Sequence, residues 1–400
     1  MTEEIQMTEE QRQDITRVAI VGCGAIGRTH AAVILEQPEL RLTALVDPVK
    51  EARGALATWL GDRAHPAQYG TVAEALTADC ADLYVLATPS GLHIAGALEV
   101  LDAGRHVIIE KPLDVDLERA QEIEAAALAA EDRGQLVTVI SQHRFDPASR
   151  AVADAVAAGG LGVLCSAIAS VSWWRSQAYY DSGAWRGTWA MDGGGALMNQ
   201  GVHTVDLLLW FLGRPVSITG HAALLAHEGV EVEDTAAAVI TFESGALAVL
   251  HATTSAYPGL SASVQIMGTG GSARIDNDRL AYFHAAGADA PELRMGMNGE
   301  GDQSAEVLTR YPEESLEVAD PTVYPVGHAR QYQDVVRALK EGGKPGVRVS
   351  DAVNALACVR AVYLSSALRQ PVLFDDVLTG AYAGTDVAAG IRVHAGEGRA

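Results

Sequence analysis

The chain has 400 residues, 48% of them hydrophobic, which is long and apolar enough for two cored domains and excludes a disordered chain. A formal net charge of −22 sets its surface against phosphate backbones, so nucleic acid is not an expected partner. Cys23, Cys80, Cys165 and Cys358 lie far apart with no metal-ligand spacing, and the acidic, polar start is unlike a signal peptide; no metal, no membrane partner and a reducing cytoplasmic setting are expected.

After a polar tail over residues 1–15, strands and helices alternate. Strands are predicted at Arg17–Val21, Arg41–Val46, Leu83–Ala87, His106–Ile109 and Leu136–Ile140. Helices are predicted at Ala25–Glu36, Val49–Leu60, Gly91–Ala103 and Leu117–Ala130. This βαβα rhythm predicts a doubly wound parallel sheet covered on both faces, over 16–145. Beyond it, Gly162–Trp174, Val216–Ala226, Thr235–Phe242, Ala246–Ser255 and Ser261–Met267 are rich in β-formers and separated by turn signals. They predict a mainly antiparallel sheet in an α+β domain over 146–375, with helices at Ala196–Leu212, Val326–Glu341 and Asp351–Leu368. Residues 285–320 read as a surface excursion and 376–400 as a second tail.

Gly22-Cys23-Gly24-Ala25-Ile26-Gly27 follows the first strand and opens the first helix. That is the context in which G-x-G-x-x-G binds a dinucleotide. The first glycine permits a tight turn, the second admits a pyrophosphate, and the third lets helix pack on strand. The amides at the helix start, Ala25 and Ile26 among them, suit the anion. Asp47 ends the second strand about 20 residues beyond Gly27, where a carboxylate bonds ribose hydroxyls. It would repel a 2′-phosphate, so NAD is expected over NADP, although Lys50 and Arg53 lie close by. Thr88 and Pro89 end another strand, with His93 just inside the next helix, and border the same cofactor.

Glu110-Lys111-Pro112 follows the strand His106–Ile109. The carboxyl edge of a parallel sheet is where open α/β folds bind ligands, and Pro112 biases Lys111 towards extended backbone. Lys111 is therefore a candidate reactive group beside the cofactor, with Glu110 next to it. Arg144, just past the last strand of the series, is counted with the substrate-binding candidates.

Asp192-Gly193-Gly194-Gly195 precedes a helix in which Asn199 and His203 are four apart and share a face. Three glycines would admit something bulky. Asn199 could hold the His203 ring, and His203 could exchange a proton with a substrate hydroxyl, since imidazole titrates near neutral pH. A helix histidine capped by Asp206 is the plainer alternative. Upstream, Tyr179, Tyr180, Trp185 and Arg186 would line a sugar site or flank the nicotinamide. His328 would reach the same cleft from a later helix.

In this order, Gly22–Gly27, Thr88-Pro89, Glu110-Lys111-Pro112, Gly193–Gly195 with Asn199 and His203, and the Ser365–Val372 ending resemble the Gfo/Idh/MocA oxidoreductases. The likeness spans about residues 16–375. It implies a Rossmann domain, and a second α/β domain whose open sheet forms a homodimer or homotetramer interface. It also implies reversible hydride transfer between NAD and a sugar, cyclitol, glycoside or nucleotide sugar. Lys111 matches the family's active-site lysine and His203 the acid/base histidine of inositol dehydrogenase-like members. Asn199 stands where those members often carry aspartate. An amide can orient imidazole but cannot stabilise imidazolium as a carboxylate would, which shifts proton transfer towards Lys111. Sugar 3-dehydrogenases are similar at this helix. The rivals are an aldose 1-dehydrogenase or reductase of the same family, with Tyr179 or Tyr180 as proton donor, and a non-catalytic dinucleotide sensor. The sensor would have no need of Lys111 and His203 together.

Overall fold

The computed structural model describes residues 15–286, 295–296, 299, 301–311 and 325–393. They fall into two compact units. One is built from the described residues up to Glu110, from Glu122–Ile140 and from Ser315–Val349; the other from Lys111–Gln121, Ser141–Glu314 and Ser350–Ala400.

The first unit holds six strands in the order β3-β2-β1-β4-β5-β6, all parallel. They are β1 (Thr16–Val21), β2 (Leu40–Val46), β3 (Ala67–Tyr69), β4 (Leu83–Leu86), β5 (His106–Ile109) and β6 (Val137–Val139). The central strands are buried on both faces, which is why they read as unbroken apolar runs rather than alternating ones. β3 was not predicted: three residues, none of them buried, carry no pattern. Helix α1 (Ala25–Leu35) packs against the long amphipathic helix Pro325–Glu341. Ala329, Tyr332, Val335 and Val336 of that helix join the core of Val18, Ile20, Ile34 and Leu45. Chain order alone had assigned this helix to the second domain. Its apolar face instead completes the dinucleotide unit.

The second unit carries a nine-stranded mixed sheet, eight strands in line as β13-β12-β11-β7-β10-β9-β8-β14 and β15 paired to β8. The strands are β7 (Leu164–Ser172), β8 (Pro215–Leu224), β9 (Thr235–Phe242), β10 (Leu247–Thr253), β11 (Ala262–Gly268), β12 (Gly271–Asp276), β13 (Arg279–Ala285), β14 (Val372–Leu373) and β15 (Arg392–Val393). Pairing is antiparallel except for β7 with β10 and β15 with β8. Burial alternates along β9 and β10, so one face is covered and the other open. The covered face is rich in alanine, and helix Val349–Leu368 comes close enough for Ser365 and Ser366 hydroxyls to accept from the amides of Gly220 and Ala222, each at 3.0 Å.

The stretch read as a C-terminal tail contains the end of helix Phe374–Leu378 and β15; residues 394–400 lie outside the described residues, as do 1–14 of the N-terminal tail. Within the predicted surface excursion, the described part includes a short helix, Ser304–Leu308; 287–294, 297–298, 300 and 312–320 lie outside.

Candidate active site

In the first unit, β1 runs into Gly22, whose φ is +98°; a Cβ there would stand 2.4 Å from the Ala87 carbonyl oxygen. A Cβ on Gly27 would stand 2.1 Å from the Gly22 carbonyl oxygen. Gly24 differs, since a Cβ there would meet nothing within 4 Å. Gly24 also caps α1 without a side-chain acceptor, which leaves the first amides of the helix, over Ala25 and Ile26, for an anion. The Thr88 hydroxyl in the facing turn is buried with no hydrogen-bond partner among the described residues. Open space, uncapped amides and an orphaned hydroxyl together fit a dinucleotide. Gly22→Ala or Gly27→Ala is expected to destabilise this unit. Gly24→Ala is expected to leave Tm within about 2 °C of wild type while raising KM for NAD, because only the ligand uses that space. Thermal melts without cofactor beside steady-state kinetics check the contrast.

Asp47 is tied into the loop. One carboxylate oxygen accepts from the Cys23 amide at 2.9 Å and the other from the Val49 amide at 2.8 Å. The Arg53 guanidinium donates to the Asp47 carbonyl, so a cation does stand beside Asp47. His93 is buried, and its Nε2–H donates to the Thr88 carbonyl at 2.9 Å, bracing the turn that contains Pro89.

Glu110 and His328 do not lie where they were expected. Glu110 is 3% exposed and faces inward. Its Oε1 accepts from His30 Nε2 at 3.0 Å and from His328 Nε2 at 3.2 Å; the Tyr332 hydroxyl donates to His30 Nδ1 at 2.9 Å. Burial alone would raise the Glu110 pKa, but the two imidazole donors outweigh it and hold the carboxyl well below its usual range. Burial lowers the His30 pKa, which keeps that ring neutral. This network anchors the end of β5 to α1 and to helix Pro325–Glu341. His328 thus belongs to the dinucleotide unit's interior and not to a substrate site.

In the second unit, the peptide between Lys111 and Pro112 is cis. Lys111 Nζ donates to the Asn199 carbonyl at 3.4 Å. Asn199 Nδ2 donates to the Gly194 carbonyl at 3.1 Å, and the Asn199 side chain also bonds the Asp192 carboxylate. Asp192 is 4% exposed and accepts from the Gly187 amide at 2.6 Å. Burial raises its pKa, against the opposing pull of that amide, Arg186, Asn199 and Lys111. Sequence reasoning treated Asp192 only as the residue before three glycines.

Those glycines admit protein rather than ligand. A Cβ on Gly193 would stand 2.7 Å from Val115, one on Gly194 2.3 Å from the Tyr363 hydroxyl, and one on Gly195 1.6 Å from the Glu233 carbonyl oxygen. Glu233, fully buried, caps the following helix: its carboxylate accepts from the Gly195 and Leu197 amides, each at 2.8 Å, and from the Tyr363 hydroxyl at 3.0 Å. Burial pushes Glu233 up to about 7. A raised folded-state pKa means stability that is full below the unfolded carboxyl range and is lost as pH rises through about 7. Glu233→Gln is expected to remove this slope, on the order of 3 kcal/mol between pH 4.5 and 8. Urea denaturation of both proteins across that range checks it.

The helix begins with a π-helical segment, Ala196–Gly201, and continues as α-helix over Val202–Leu212. Asn199 accordingly turns back to Asp192 and Gly194, while His203 lines a groove with His143, Trp173, Gln200, Thr204 and Asn277. The His143 ring stands edge-on to His203 with centroids 4.8 Å apart. Its Nδ1 is 3.0 Å from carboxylate oxygens of both Asp146 and Asp278. Burial disfavours the charged ring, but the two carboxylates outweigh that and push His143 up to about 10.

Three other expectations change. Arg144 is buried and forms a two-pronged ion pair with Asp206, at 2.8 and 2.6 Å, rather than meeting substrate. The Ser141 hydroxyl donates to the same carboxylate, which leaves Asp206 engaged away from His203. Tyr180 is buried with its hydroxyl 2.9 Å from that of Thr254, and burial pushes it up to about 12. Tyr179 accepts from Arg186 at 2.9 Å, and Arg186 lies over the Tyr179 and Trp185 rings, at 4.4 and 4.3 Å from their centroids.

Residues 16–141 match the oxidoreductase family with an NAD-binding Rossmann fold, and residues 149–274 match the GFO/IDH/MocA C-terminal domain. The inositol 2-dehydrogenase of Rhizobium meliloti is 25% identical over 361 residues, covering 89% of this chain and 98% of the relative. D-xylose 1-dehydrogenase (NADP(+)) 2 of Haloferax volcanii is 25% identical over 361 residues, covering 89% and 99%. The crystal structure of the WlbA dehydrogenase from Bordetella pertussis, in complex with NADH and UDP-GlcNAcA, superposes with a TM-score of 0.77 at 29% identity, covering 92% of this chain and 99% of that one. With a glycine loop shaped for a dinucleotide and a lysine beside the Asn199 turn, the chain belongs to the Gfo/Idh/MocA oxidoreductases, NAD(P)-dependent dehydrogenases acting on CH–OH groups.

Proposed function

We propose that the protein oxidises a ring secondary alcohol of a sugar, cyclitol, glycoside or nucleotide sugar, with NAD as hydride acceptor. The observation that carries this reading is the Lys111 ammonium on the Asn199 carbonyl, beside buried Asp192 and one short helical segment before His203 in its groove. When bound, the nicotinamide supplies the hydride acceptor. His203 takes the hydroxyl proton, directly or through Lys111, and in the reverse direction the Lys111 ammonium polarises the ketone. Asn199 acts on Lys111 and Asp192 rather than on the His203 ring. The Asp47 carboxylate supports NAD and the neighbouring Arg53 opposes the choice, so cofactor preference is part of the test. Tyr180, tied to Thr254, counts against a rival in which it donates the proton.

Purified protein screened with NAD and NADP against sugars, cyclitols and nucleotide sugars, followed at the reduced-cofactor absorbance, tests the reading. Lactone rather than ring-ketone products would replace it with an aldose 1-dehydrogenase. A strong NADP preference would overturn the role given to Asp47.

We also infer a homodimer or homotetramer built on the open sheet face, where Ile168, Val249 and Val239 pair across β7, β10 and β9 and stay exposed beside Leu247. Val249→Glu is expected to release monomers in light scattering, and an unchanged mass would move the interface elsewhere. The four free cysteines accord with a reducing, cytoplasmic compartment. No helix among the described residues is long and apolar enough to cross a membrane.

A further inference from the structure

His203 stands beside a charge cluster that the catalytic reading leaves unused. His143 faces it edge-on, with ring centroids 4.8 Å apart. His143 Nδ1 lies 3.0 Å from a carboxylate oxygen of Asp146 and 3.0 Å from one of Asp278. On the other nitrogen, the Gln142 amide ends 3.5 Å from His143 Nε2, and Gln142 Oε1 is buried with no hydrogen-bond partner among the described residues. Turned over, that amide accepts from Nε2–H. Both ring nitrogens then donate, which only imidazolium can do. The same answer comes from electrostatics, since the two carboxylates outweigh burial and push His143 up to about 10.

Other charges near His203 are already spent. β7, β11 and the segment Ala196–Gly201 pack against its helix and carry no charged side chain; Cys165 of β7 is exposed. Arg144 and Asp206 neutralise each other, with Asp351 on the same guanidinium. In helix Pro147–Ala157, Asp154 accepts from the Tyr311 hydroxyl at 2.6 Å and Arg150 is exposed. Arg274 and Asp276 of β12 pair at 2.6 Å, and Lys111 is on the Asn199 carbonyl. The cluster left at the groove is one imidazolium between two carboxylates. Bare carboxylates would draw a proton onto His203 and block it as a base. A cation edge-on to the ring opposes that proton, by about tenfold or more in affinity at this separation.

We propose that His143 carries a fixed positive charge whose task is to keep His203 unprotonated, which makes His143 a positioning residue for proton abstraction from the alcohol. The inference rests on the dehydrogenase reading above and deepens it. Asp146 and Asp278 hold the charge in place.

NMR of the full chain labelled at histidine Cε1, titrated from about pH 5 to 9 with the His203 signal assigned through His203→Gln, tests this without substrate. His143→Gln is expected to raise the His203 pKa by about one unit or more, because the cation goes and both carboxylates stay. Asp278→Asn is expected to lower it by about half a unit, since Asp146 still holds His143 charged and one attracting carboxylate is gone. Looser packing alone would move both variants the same way. The Asp278 side chain is 55% exposed and its φ of +63° suits asparagine, so this variant decides the matter if His143→Gln fails to fold. With a substrate from the wider screen, the low-pH limb of kcat/KM should follow the NMR value in each variant.

An unmoved His203 signal, or shifts of one sign in both variants, would overturn the proposal. So would a kinetic limb that stays while the NMR value moves, or a divalent ion that wild type binds and Asp278→Asn loses. These failures leave oxidation of an alcohol by NAD intact. That reading fails separately, if no sugar or cyclitol in the wider screen reduces NAD, and the titration is read all the same.

Discussion

Lys111→Ala is expected to lower kcat by about 10²–10⁴-fold. The ammonium stands at the Asn199 carbonyl and next to buried Asp192, so its removal takes away a polarising cation and a proton carrier at once. It also leaves Asp192 with one fewer opposing charge, and the carboxyl should bind its proton more tightly. The glycine loop and Asp47 are untouched by the change, so NAD should still bind; cofactor fluorescence titration checks that. Single-turnover measurement of reduced-cofactor formation at saturating substrate then isolates the chemical step. Turnover within threefold of wild type would remove Lys111 from the mechanism.

Arg144→Met is expected to cost the second unit about 3–5 kcal/mol, because Asp206 would be left buried without its partner. In a unit of this size that is a fall in Tm on the order of 10 °C. Asp351 also approaches the guanidinium, at 3.4 Å, and Trp210 lies beneath it with its centroid 5.4 Å away. Arg144→Lys keeps the charge but loses the fork, and should fall between the two. Denaturation followed by tryptophan fluorescence reads the series. A loss of substrate affinity with unchanged stability would restore Arg144 to the substrate site.

Long, patterned elements were legible in the sequence. β9 was predicted with its observed ends, and the first βαβ unit fell within a residue or two, because alternating burial and a glycine loop leave strong local signals. β3, at three partly exposed residues, leaves none. The dinucleotide loop was legible because each glycine answers a local steric demand that sequence context implies. The same reasoning failed at Gly193–Gly195, where the demand comes from Val115, Glu233 and Tyr363, all distant in sequence. Glu110, Arg144 and His328 are polar residues near functional motifs, yet each spends its hydrogen bonds on a buried partner that only the fold supplies. Asp192 and His143 were missed for the converse reason. Their importance comes from burial and from charges across the fold, and no spacing announces either.

The π-helical segment at Ala196–Gly201 bears on how this protein could be altered. A π-turn holds one residue more than an α-turn needs. Deleting a single residue there would let the segment relax to α-helix, and everything before it would rotate by about 100° relative to His203. Asn199, Gly194 and Asp192 would lose their common register with Lys111, while the helix over Val202–Leu212 would stay packed where it is. Length in this segment, as much as residue identity, is what keeps the lysine and the histidine in step. A library that samples one-residue deletions and insertions there would reach geometries that substitutions cannot.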